Sequence, residues 1–556
     1  MSIRGQQWQI INTDFQGTAL EKIMSQRMQN LALDLEKYHD PYCFTDMKIA
    51  VDRIETAITK NEKIIIFGDY DVDGISGTAL LYKELEQLGA NVSYRIPNRM
   101  KHGYGLTMPF VEEFIEKKID LVITVDCGIS CTKEVAEAGK HGIDIIITDH
   151  HTIPEAIPQA VAIIHPKYDN QYPYRELTGS GVAFKLAHGL IQRLMPKDAE
   201  ETQLKELVDL ASLGTVADMG PLSGENRHIV KQGLLTLSNT QWPGLKQLLI
   251  NSGIDLERDP TAGDIGFKIG PRINAAGRID DPYIALQLLL QNETSRITEL
   301  GNALEKINIK RIEMLEEALA SASLEIESLS EIPPIIILEN SDWHVGILGL
   351  IASRISDKYH RPTVILQVFE EFLTASARSP EYFNIIEALT HNSQYLETFG
   401  GHHCAAGFKV KKEKYPEFKS SLTDYSRKTI TEIPQPVIKI DCEISPDELD
   451  LQFEKEISKL APFGIGNSRP KLLLTGISPQ FPQAIGKDNK HLKFTAQIGN
   501  KTFNTIAFNM GEHLETIKGE STIDLVFSPE ANNWRGNTSL QLQIHDIRVN
   551  EQPTHL

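Results

Sequence analysis

Carboxylate and imidazole side chains follow three short apolar runs of this sequence. An aspartate-rich segment, Gly68–Gly74, comes after the first run, Asp126 after the second, and His150 and His151 after the third. A further candidate, Asp218, lies in a glycine-flanked turn. Several carboxylates at one place repel one another unless cations neutralise them, and oxygen ligands with some imidazole suit Mn²⁺ or Mg²⁺ better than Zn²⁺ or copper. These residues predict a divalent-metal site, provided that the fold brings them together.

The elements that would position these residues are the strands of an α/β sheet. Near-continuous apolar runs alternate with helical stretches, which is typical of buried parallel strands in a doubly wound sheet. Ligands of such sheets lie outside the carboxyl ends of the strands, so the segments above are expected at one crevice. The expected strands are Ile64–Phe67, Val92–Ile96, Leu121–Val125, Ile143–Ile147 and Val161–Ile164.

The rest of the chain divides by composition into further parts. Residues 1–48 are expected to form a helical lead-in, and residues 49–293 the α/β domain just described. Thr294–Ser323 predicts one long helix within a connector over residues 294–330. A second, smaller α/β domain is expected over residues 331–430. Short alternating strands over residues 436–550 favour a small β-barrel or a β-sandwich.

Two other phosphate- or metal-binding loops fit the Gly68–Gly74 segment poorly. The Asp-x-Asp-x-Asp-Gly spacing resembles the start of an EF-hand calcium loop, but Leu80 stands where that loop needs a bidentate glutamate, and the preceding residues predict a strand. The GxxxxGK[ST] motif of a P-loop is absent from the sequence. A single aspartate after a strand is often only a helix N-cap, so the metal interpretation depends on the three segments together.

Charge and composition restrict the function classes. The 556 residues contain 56 Lys and Arg against 75 Asp and Glu, a net charge of −19, which argues against coating nucleic acid by bulk charge. Five scattered cysteines favour reduced thiols, and the absence of an apolar leader or of a long apolar run leads us to expect a soluble, cytoplasmic protein without a membrane segment.

Residues 461–510 differ from this acidic average. They carry six basic residues against Asp488 alone, a local net charge of +5. Basic groups with interleaved aromatics on a small barrel suit single-strand binding by stacking and phosphate attraction, although core packing is the commoner role for such phenylalanines. The interleaved aromatics are Phe463, Phe481, Phe494, Phe503 and Phe508.

Four segments in order, GDYDVDG, VDCGIS, TDHH and GTVADMGPL, resemble the motifs of the DHH superfamily of phosphoesterases. Four later segments, PRINAAGR, WHVGI, SARS and GGHHCAAG, resemble the RecJ family of bacterial exonucleases. The resemblance covers about residues 45–550. It implies a DHH-type catalytic domain, a DHHA1-like second domain and an OB-like barrel.

The resemblance also implies roles for individual residues. Asp71 and Asp73 would each hold one of two metal ions, Asp126 would bridge them, and His150 and Asp218 would complete the ligands. Asp73, Asp126 and His151 are the expected catalytic residues, with His151 beside the scissile phosphate. Arg99, Ser376 and Arg378 would bind the 5′-terminal phosphate, and His402 would close the site. Arg278 and Arg272 flank an Asn-Ala-Ala-Gly turn, where they would contact the strand backbone or form buried ion pairs.

Two positions depart from the family patterns. Phe67 stands where the pyrophosphatase branch has a metal-binding histidine, so Asp69 is expected to compensate as a ligand. Ala375 and Ala377 replace glycines of the Gly-Ser-Gly-Arg-Ser pattern, which reduces the freedom of that loop.

The implied activity is 5′→3′ hydrolysis of single-stranded DNA to mononucleotides with two Mn²⁺ or Mg²⁺ ions, in DNA recombination and repair. The alternatives are a DHH phosphodiesterase acting on short oligoribonucleotides or cyclic dinucleotides, and a catalytically inactive DNA-binding scaffold. Single-strand-binding protein and a RecQ-type helicase are the partners that the resemblance implies, with the chain itself a bacterial, cytoplasmic monomer.

Overall fold

The structure, a computed structural model, describes residues 2–11, 16–31, 35–520, 522–534 and 537–549. The chain forms two compact units. Residues 35–433 make the larger unit, and residues 1–34 together with 434–556 make the smaller one, which we call the barrel unit. This grouping differs from the expected lead-in over residues 1–48, because the first 34 residues belong with the C-terminal part of the chain.

The strands, in chain order, are β1 (Gln7–Ile10), β2 (Lys63–Gly68), β3 (Asn91–Arg95), β4 (Leu121–Val125), β5 (Asp144–Thr148), β6 (Ala162–Ile164), β7 (Ile336–Asn340), β8 (Thr363–Val368), β9 (Phe372–Arg378), β10 (Leu396–His402), β11 (Ala405–Lys411), β12 (Val437–Ile440), β13 (Cys442–Glu443), β14 (Leu472–Ile485), β15 (His491–Ile498), β16 (Lys501–Ile506), β17 (Ile523–Trp534) and β18 (Asn537–Val549).

The helices, in chain order, are α1 (Ala19–Leu31), α2 (Met47–Thr59), α3 (Val72–Gln87), α4 (Met108–Lys117), α5 (Thr132–Lys140), α6 (Gly179–Leu194), α7 (Glu200–Ala217), α8 (Gly224–Leu237), α9 (Pro243–Asn251), α10 (Ala262–Asp264), α11 (Gly270–Ile279), α12 (Tyr283–Leu290), α13 (Thr294–Glu327), α14 (Leu348–Tyr359), α15 (Ile385–His391), α16 (Tyr415–Thr429), α17 (Leu451–Ser458) and α18 (Leu514–Lys518). No helix within the described ranges has the length and apolarity that a membrane crossing requires.

The first sheet of the larger unit is wholly parallel, in the order β3-β2-β4-β5-β6. Strand β2 shows why the sequence forms a buried strand. Ile64 and Ile66 pack into one hydrophobic core, whereas Ile65 and Phe67 pack into another on the opposite face. A strand covered on both faces needs apolar residues at every position, as a doubly wound sheet requires. The predicted α/β class is confirmed.

The second sheet of the larger unit is mixed, in the order β10-β11-β9-β8-β7. Strands β7 and β8 are parallel, and β8, β9, β11 and β10 pair antiparallel in that order, so that β11 lies between β9 and β10. Helices α13 and α14 contribute to the core on one face, and α15 and α16 to the core on the other. The long helix α13, expected over Thr294–Ser323, extends to Glu327.

In the barrel unit, five strands in the order β14-β15-β16-β18-β17 close into a barrel through a β14–β17 pairing, and the short strand β13 pairs in parallel with β14. Within this unit β1 pairs in parallel with β12. Arg27 of α1 forms an ion pair with Asp441 at 2.9 Å and donates to Asn467 Oδ1 at 3.1 Å. The N-terminal residues are therefore held to the barrel by a strand pairing and by a buried charge.

The interleaved aromatics of the barrel unit divide between core and surface. Phe494 and Phe503 are buried in the barrel core, and Phe463 is partly buried, with the Arg469 guanidinium 4.8 Å from its ring centre. Phe481 is 83% exposed, and Phe508 is also exposed. Of the five, Phe481 and Phe508 are therefore the exposed rings.

Candidate metal and phosphate site

The carboxyl ends of β2, β4 and β5 meet at one edge of the parallel sheet and carry the predicted ligands. Asp71 is the N-cap of α3, where its side chain accepts from the backbone N–H of Asp73 at 2.9 Å and of Gly74 at 3.1 Å. Asp73 is buried and accepts from the backbone N–H groups of Gly179 at 2.6 Å and Ser180 at 2.9 Å, at the start of α6. Both carboxylates are thus held by helix N-termini, which favour negative charge.

Asp126 occupies the turn after β4 with φ +61°, a left-handed conformation that costs energy for a non-glycine residue. A Cβ on Gly179 would lie 2.5 Å from the Asp126 Cβ, so only glycine allows α6 to approach this closely. The strained turn directs the Asp126 carboxylate toward the other ligands.

His150 lies at the centre of the cluster. Its Nε2 is 3.1 Å from Asp126 Oδ1, 3.6 Å from Asp218 Oδ2 and 3.9 Å from Asp73 Oδ2. Oxygens of Asp69, Asp71 and Asp126 form a second group within 4.8 Å of one another. The structure therefore brings together all six residues that the sequence suggested as ligands, Asp69 included.

The electrostatics of this cluster are those of a cation site. Burial, together with the carboxylates of Asp73 and Asp71, raises the pKa of Asp126 well above its ordinary value. The same causes raise the pKa of Asp218 to about 9. Three buried atoms, Asp69 Oδ1, Asp126 Oδ1 and His150 Nε2, have no hydrogen-bond partner within the described residues. Buried acceptors without donors, in a set of oxygens and one imidazole, fit Mn²⁺ or Mg²⁺.

His151 is held by a residue that the sequence argument did not assign. Asp149 is buried and its Oδ1 lies 2.7 Å from His151 Nδ1. The Asp149 carboxylate also accepts from the backbone N–H groups of Ile129, His150 and His151 at 2.9, 2.7 and 3.1 Å. Despite the opposing effect of burial, the hydrogen bond and charge of His151 lower the pKa of Asp149 to about 2.

Tyr104 is a second residue that the sequence argument missed. Its hydroxyl donates to the Asp126 backbone carbonyl at 3.1 Å and lies 3.2 Å from His151 Nδ1. Only its place in the glycine-flanked segment after β3 could have drawn attention to it. Tyr104 and Asp149 together fix the orientation of the His151 ring.

Three of the predicted phosphate-binding residues lie in an arginine-rich pocket. Arg378 Nη1 is 3.3 Å from Ser376 Oγ on β9. A Cβ on Gly349, in the first turn of α14, would lie 3.1 Å from Arg378 Nη2 and 3.2 Å from Ser376 Oγ. The Arg99 guanidinium lies 5.6 Å from the Tyr70 ring centre. Burial lowers the pKa of Arg378, and the nearby positive charge of Arg99 lowers it further. Clustered guanidinium groups at a helix N-terminus make a site for a phosphate.

Arg278 extends this pocket. Its Nη1 donates to the Gly346 carbonyl at 3.3 Å. Burial, with the charges of Arg99, Arg311 and Arg378, lowers the pKa of Arg278 to about 10. Arg311 of α13 was not expected there, because a single arginine in a long helix gives no signal of its tertiary neighbours.

The segment around Arg272 differs from expectation. The expected Asn-Ala-Ala-Gly turn is part of helix α11. Arg272 pairs with Glu305 of α13 at 2.6 Å, which agrees with the ion-pair alternative for that residue.

His402 is exposed at the end of β10, opposite Ala405 in register. No hydrogen bond or ion pair joins His402 to the arginines among the residues that the structure describes.

Helix α11 joins the ligand cluster to the arginine pocket within the larger unit. Asn274 Oδ1 accepts from the Val72 N–H at 3.2 Å, and a Cβ on Gly277 would lie 2.6 Å from the Tyr70 carbonyl oxygen. At the end of α11, the Arg278 carbonyl packs directly against Gly346. The metal-binding loop and the second α/β domain are therefore linked by contacts without intervening space.

Three protein-family models match this chain. The DHH family, N-terminal domain, matches residues 63–215, the DHHA1 domain matches residues 333–428, and the RecJ OB domain matches residues 440–546. The first match contains the segments that supply Asp71, Asp126 and His150, and the second contains Ser376 and Arg378. Fold and site together define a DHH-family phosphoesterase with an appended OB barrel.

Relatives and solved structures narrow the class. The chain is 36% identical over 518 residues to the single-stranded-DNA-specific exonuclease RecJ of Bacillus subtilis, covering 92% of the chain and 65% of that protein. It is 35% identical over 542 residues to the protein of the same name from Haemophilus influenzae, covering 94% of each. The crystal structure of RecJ with Mn²⁺ from Thermus thermophilus matches with a TM-score of 0.84 and 28% identity, over 99% of this chain and 80% of that one. The chain belongs to the RecJ family.

Proposed function

We propose that this chain is a metal-dependent exonuclease that hydrolyses single-stranded DNA from its 5′ end to mononucleotides. The observation that carries the proposal is the joining of two sites in one unit, a carboxylate–imidazole cluster and an arginine pocket, through the contacts of α11. An exonuclease needs both, since one site must cleave and the other must recognise the chain end. Membership of the RecJ family supports the substrate and the activity.

The ligand cluster provides for hydrolysis of a phosphodiester. Two Mn²⁺ or Mg²⁺ ions, when bound, supply an activated water and stabilise the leaving oxygen. Asp71 and Asp73 would each hold one ion, and Asp126, between the two groups of oxygens, would bridge them. Asp69, His150 and Asp218 would complete the two sets of ligands. Backbone N–H groups at the two helix N-termini hold the Asp71 and Asp73 carboxylates in place.

His151 is the group that we assign to the reacting phosphate. Its Nδ1 is engaged by Asp149, which fixes the tautomer of the neutral ring, and its Nε2 lies 3.3 Å from the Tyr104 hydroxyl. In the imidazolium form, which the Asp149 carboxylate favours by raising the pKa of His151, Nε2 can donate to a phosphate oxygen or pass a proton to the leaving group. The Tyr104 hydroxyl limits rotation of the ring in the same place.

The arginine pocket gives the proposed polarity. Arg99, Ser376 and Arg378 would bind the terminal 5′-phosphate, because clustered guanidinium donors, a hydroxyl and a helix N-terminus favour a doubly charged group over a 5′-hydroxyl. Arg278 would contact the next phosphate of the strand backbone. His402, on the exposed end of β10, would close over the terminus when a strand is bound.

One experiment tests the activity and its direction. Single-stranded and duplex DNA, labelled at either end, are incubated with the chain and Mn²⁺ or with EDTA. We expect release of a 5′-label as a mononucleotide from the single strand, loss of this activity with EDTA, and little cleavage of duplex. Release from the 3′ end first would refute the polarity. Preferred turnover of short oligoribonucleotides or cyclic dinucleotides would favour a phosphodiesterase, and binding without cleavage would favour a scaffold.

The phosphate pocket makes a separate prediction. Arg378→Ala should lower kcat/KM on a 5′-phosphorylated strand about 10- to 100-fold, since one charge-assisted contact contributes about 1.5–3 kcal/mol. The same variant should change turnover of a 5′-hydroxyl strand much less. Arg427→Ala, at an exposed arginine of α16, is the matched control. Equal losses on both strands would place Arg378 outside the terminal-phosphate pocket.

The barrel unit is proposed to guide the strand. Its basic segment at residues 461–510 and the exposed rings of Phe481 and Phe508 support this role. We further propose a monomer in the bacterial cytoplasm that works in recombination and repair with single-strand-binding protein and a RecQ-type helicase. Light scattering on the purified chain and co-purification with each partner test these assignments.

A further inference from the structure

Two large apolar side chains are exposed beside the ligand Asp218. Met219 follows it directly, with φ +59° and 64% of its surface exposed. Phe267 is 86% exposed, the largest value among the exposed large hydrophobic residues in the described ranges. A single exposed apolar residue needs no explanation, but two at the rim of an active site form a patch that does.

A π-helical turn, Ile265–Ile269, presents Phe267 to solvent. Ile265 and Ile269 are fully buried and anchor the turn, so the residue midway between them must point outward. Single π-helical turns are rare and occur frequently at functional sites. Because its two anchors are fixed in the core, the turn holds the Phe267 backbone rigidly.

The turn packs against the end of α7 that supplies Asp218. A Cβ on Gly266 would lie 3.7 Å from Val216 Cγ1, and a Cβ on Gly270 would lie 3.5 Å from the Ala217 Cβ. Phe267 therefore belongs to a segment in van der Waals contact with the two residues that precede the ligand.

The surroundings of the turn carry positive charge. A cavity of about 120 Å³ beside it is lined by Gly266, Gly270, Asn274, Arg278 and Arg311, among others. The Arg311 Nε is buried there, and no hydrogen-bond partner for it occurs in the described part of the chain. An exposed ring next to buried guanidinium groups is the combination that binds single-stranded nucleic acid, through base stacking and phosphate attraction.

We infer that Phe267, on a turn that packs against the end of α7 next to Asp218, stacks on a base of the bound strand close to the scissile phosphodiester. A protein partner is a poorer occupant, since two side chains expose far less than the roughly 800 Å² that each side of a stable interface buries. The inference rests on the proposed function, and it adds a contact to a base where the other proposed contacts are to phosphates.

The first test is kinetic. Phe267→Ala should raise KM for a 5′-phosphorylated single strand about tenfold, the range expected for loss of one base–aromatic stack, and change kcat less than about twofold. Phe267→Trp should keep the wild-type KM. Leu235→Ala, which truncates another strongly exposed apolar residue of the same unit, is the matched control and should change neither constant.

The second test uses abasic substrates. A series of strands carries one abasic residue at successive positions from the 5′ end. For the wild type, an abasic residue at one particular position should raise KM about as much as Phe267→Ala does. For Phe267→Ala, an abasic residue at that position should leave KM unchanged, whereas the other positions should act as they do in the wild type. The inference is overturned if Phe267→Ala has the KM of Leu235→Ala, or if its sensitivity to every abasic position equals that of the wild type. Absence of wild-type activity on the intact strand would instead overturn the proposed function.

Discussion

Asp149 offers the sharpest test of how the site is held together, because it contacts His151 without belonging to the ligand cluster. We consider Asp149→Asn, which keeps the size of the side chain but replaces one carboxylate oxygen by an NH₂ donor. In the wild type, Oδ1 accepts from the backbone N–H groups of His150 and His151 and lies 2.7 Å from His151 Nδ1, while Oδ2 accepts from the Ile129 N–H.

The amide has no orientation that satisfies these donors. If the amide oxygen takes the Oδ1 position, the amide NH₂ faces the Ile129 N–H. If the amide is flipped, the NH₂ faces the backbone N–H groups of His150 and His151 and the His151 ring. At least one buried donor therefore loses its acceptor, at a cost of about 1–3 kcal/mol, and loss of the charge weakens the remaining bonds by about half. The free energy of unfolding should fall by roughly 2–4 kcal/mol.

The effect on activity should exceed the effect on substrate affinity. His151 would lose the carboxylate that fixes its tautomer, and changes of such supporting partners typically cost about 10- to 100-fold in activity or metal affinity. We expect kcat at saturating Mn²⁺ to fall in that range, with KM nearly unchanged and the pH profile of kcat shifted to lower pH, because the imidazolium loses its counter-charge. Asp144→Asn, at the start of the same strand, is the control. Wild-type kcat and an unshifted profile for Asp149→Asn would refute the assignment.

Two further predictions concern the core around the ligands. A Cβ at Gly214 would overlap Ser180 Oγ and Asp73 Oδ1, so Gly214→Ala should displace Asp73 and weaken Mn²⁺ binding, measured by calorimetry, about 10- to 100-fold, whereas Gly139→Ala, which has open space, should not. Burial raises the pKa of Glu84 from 4.5 to about 7, so its ionisation destabilises the fold as pH rises through that interval, by about 3 kcal/mol. Glu84→Gln should therefore unfold at higher temperature than the wild type at pH 8.5 but not at pH 4, and the exposed Glu86→Gln should show no such difference.

The strands of the parallel sheet could be predicted because each is marked by the residues of its own segment. Each strand is a run such as Leu121–Val125 that is apolar at every position, and the structure places β4 over those same residues. The antiparallel strands β9, β10 and β11 escaped prediction because none is a continuous apolar run. Strand β9 alternates buried with half-buried residues, and β10 and β11 contain glycines. The pairing of β1 with β12 could not be predicted from the sequence, since the paired strands are separated by more than 400 residues.

The ligands could be predicted for a related reason. Chain direction and strand order bring the residues after β2, β4 and β5 to one edge, so Asp71, Asp126 and His150 follow from topology alone. The role of Asp149 does not, because a carboxylate beside two histidines in the sequence could itself be a ligand. Asp149 orients His151 instead, because its other carboxylate oxygen accepts from the Ile129 N–H, and that tertiary contact cannot be predicted from the local sequence. Arg311 likewise depends on where a 34-residue helix happens to pass the pocket.

The contacts along α11 suggest why a fixed product length is expected from this site. Gly277 lies against the carbonyl of Tyr70, and Gly346 lies against the carbonyl of Arg278, each so closely that a single methyl group would not fit. Packed interiors with no space for a methyl group do not deform gradually. The distance between the carboxylate–imidazole cluster and the arginine pocket, where we propose that the terminal phosphate binds, is therefore set by backbone contacts rather than by flexible side chains. A strand whose 5′-phosphate occupies that pocket presents the same phosphodiester to the cluster in every cycle, so the geometry favours removal of one unit at a time over cleavage at variable positions.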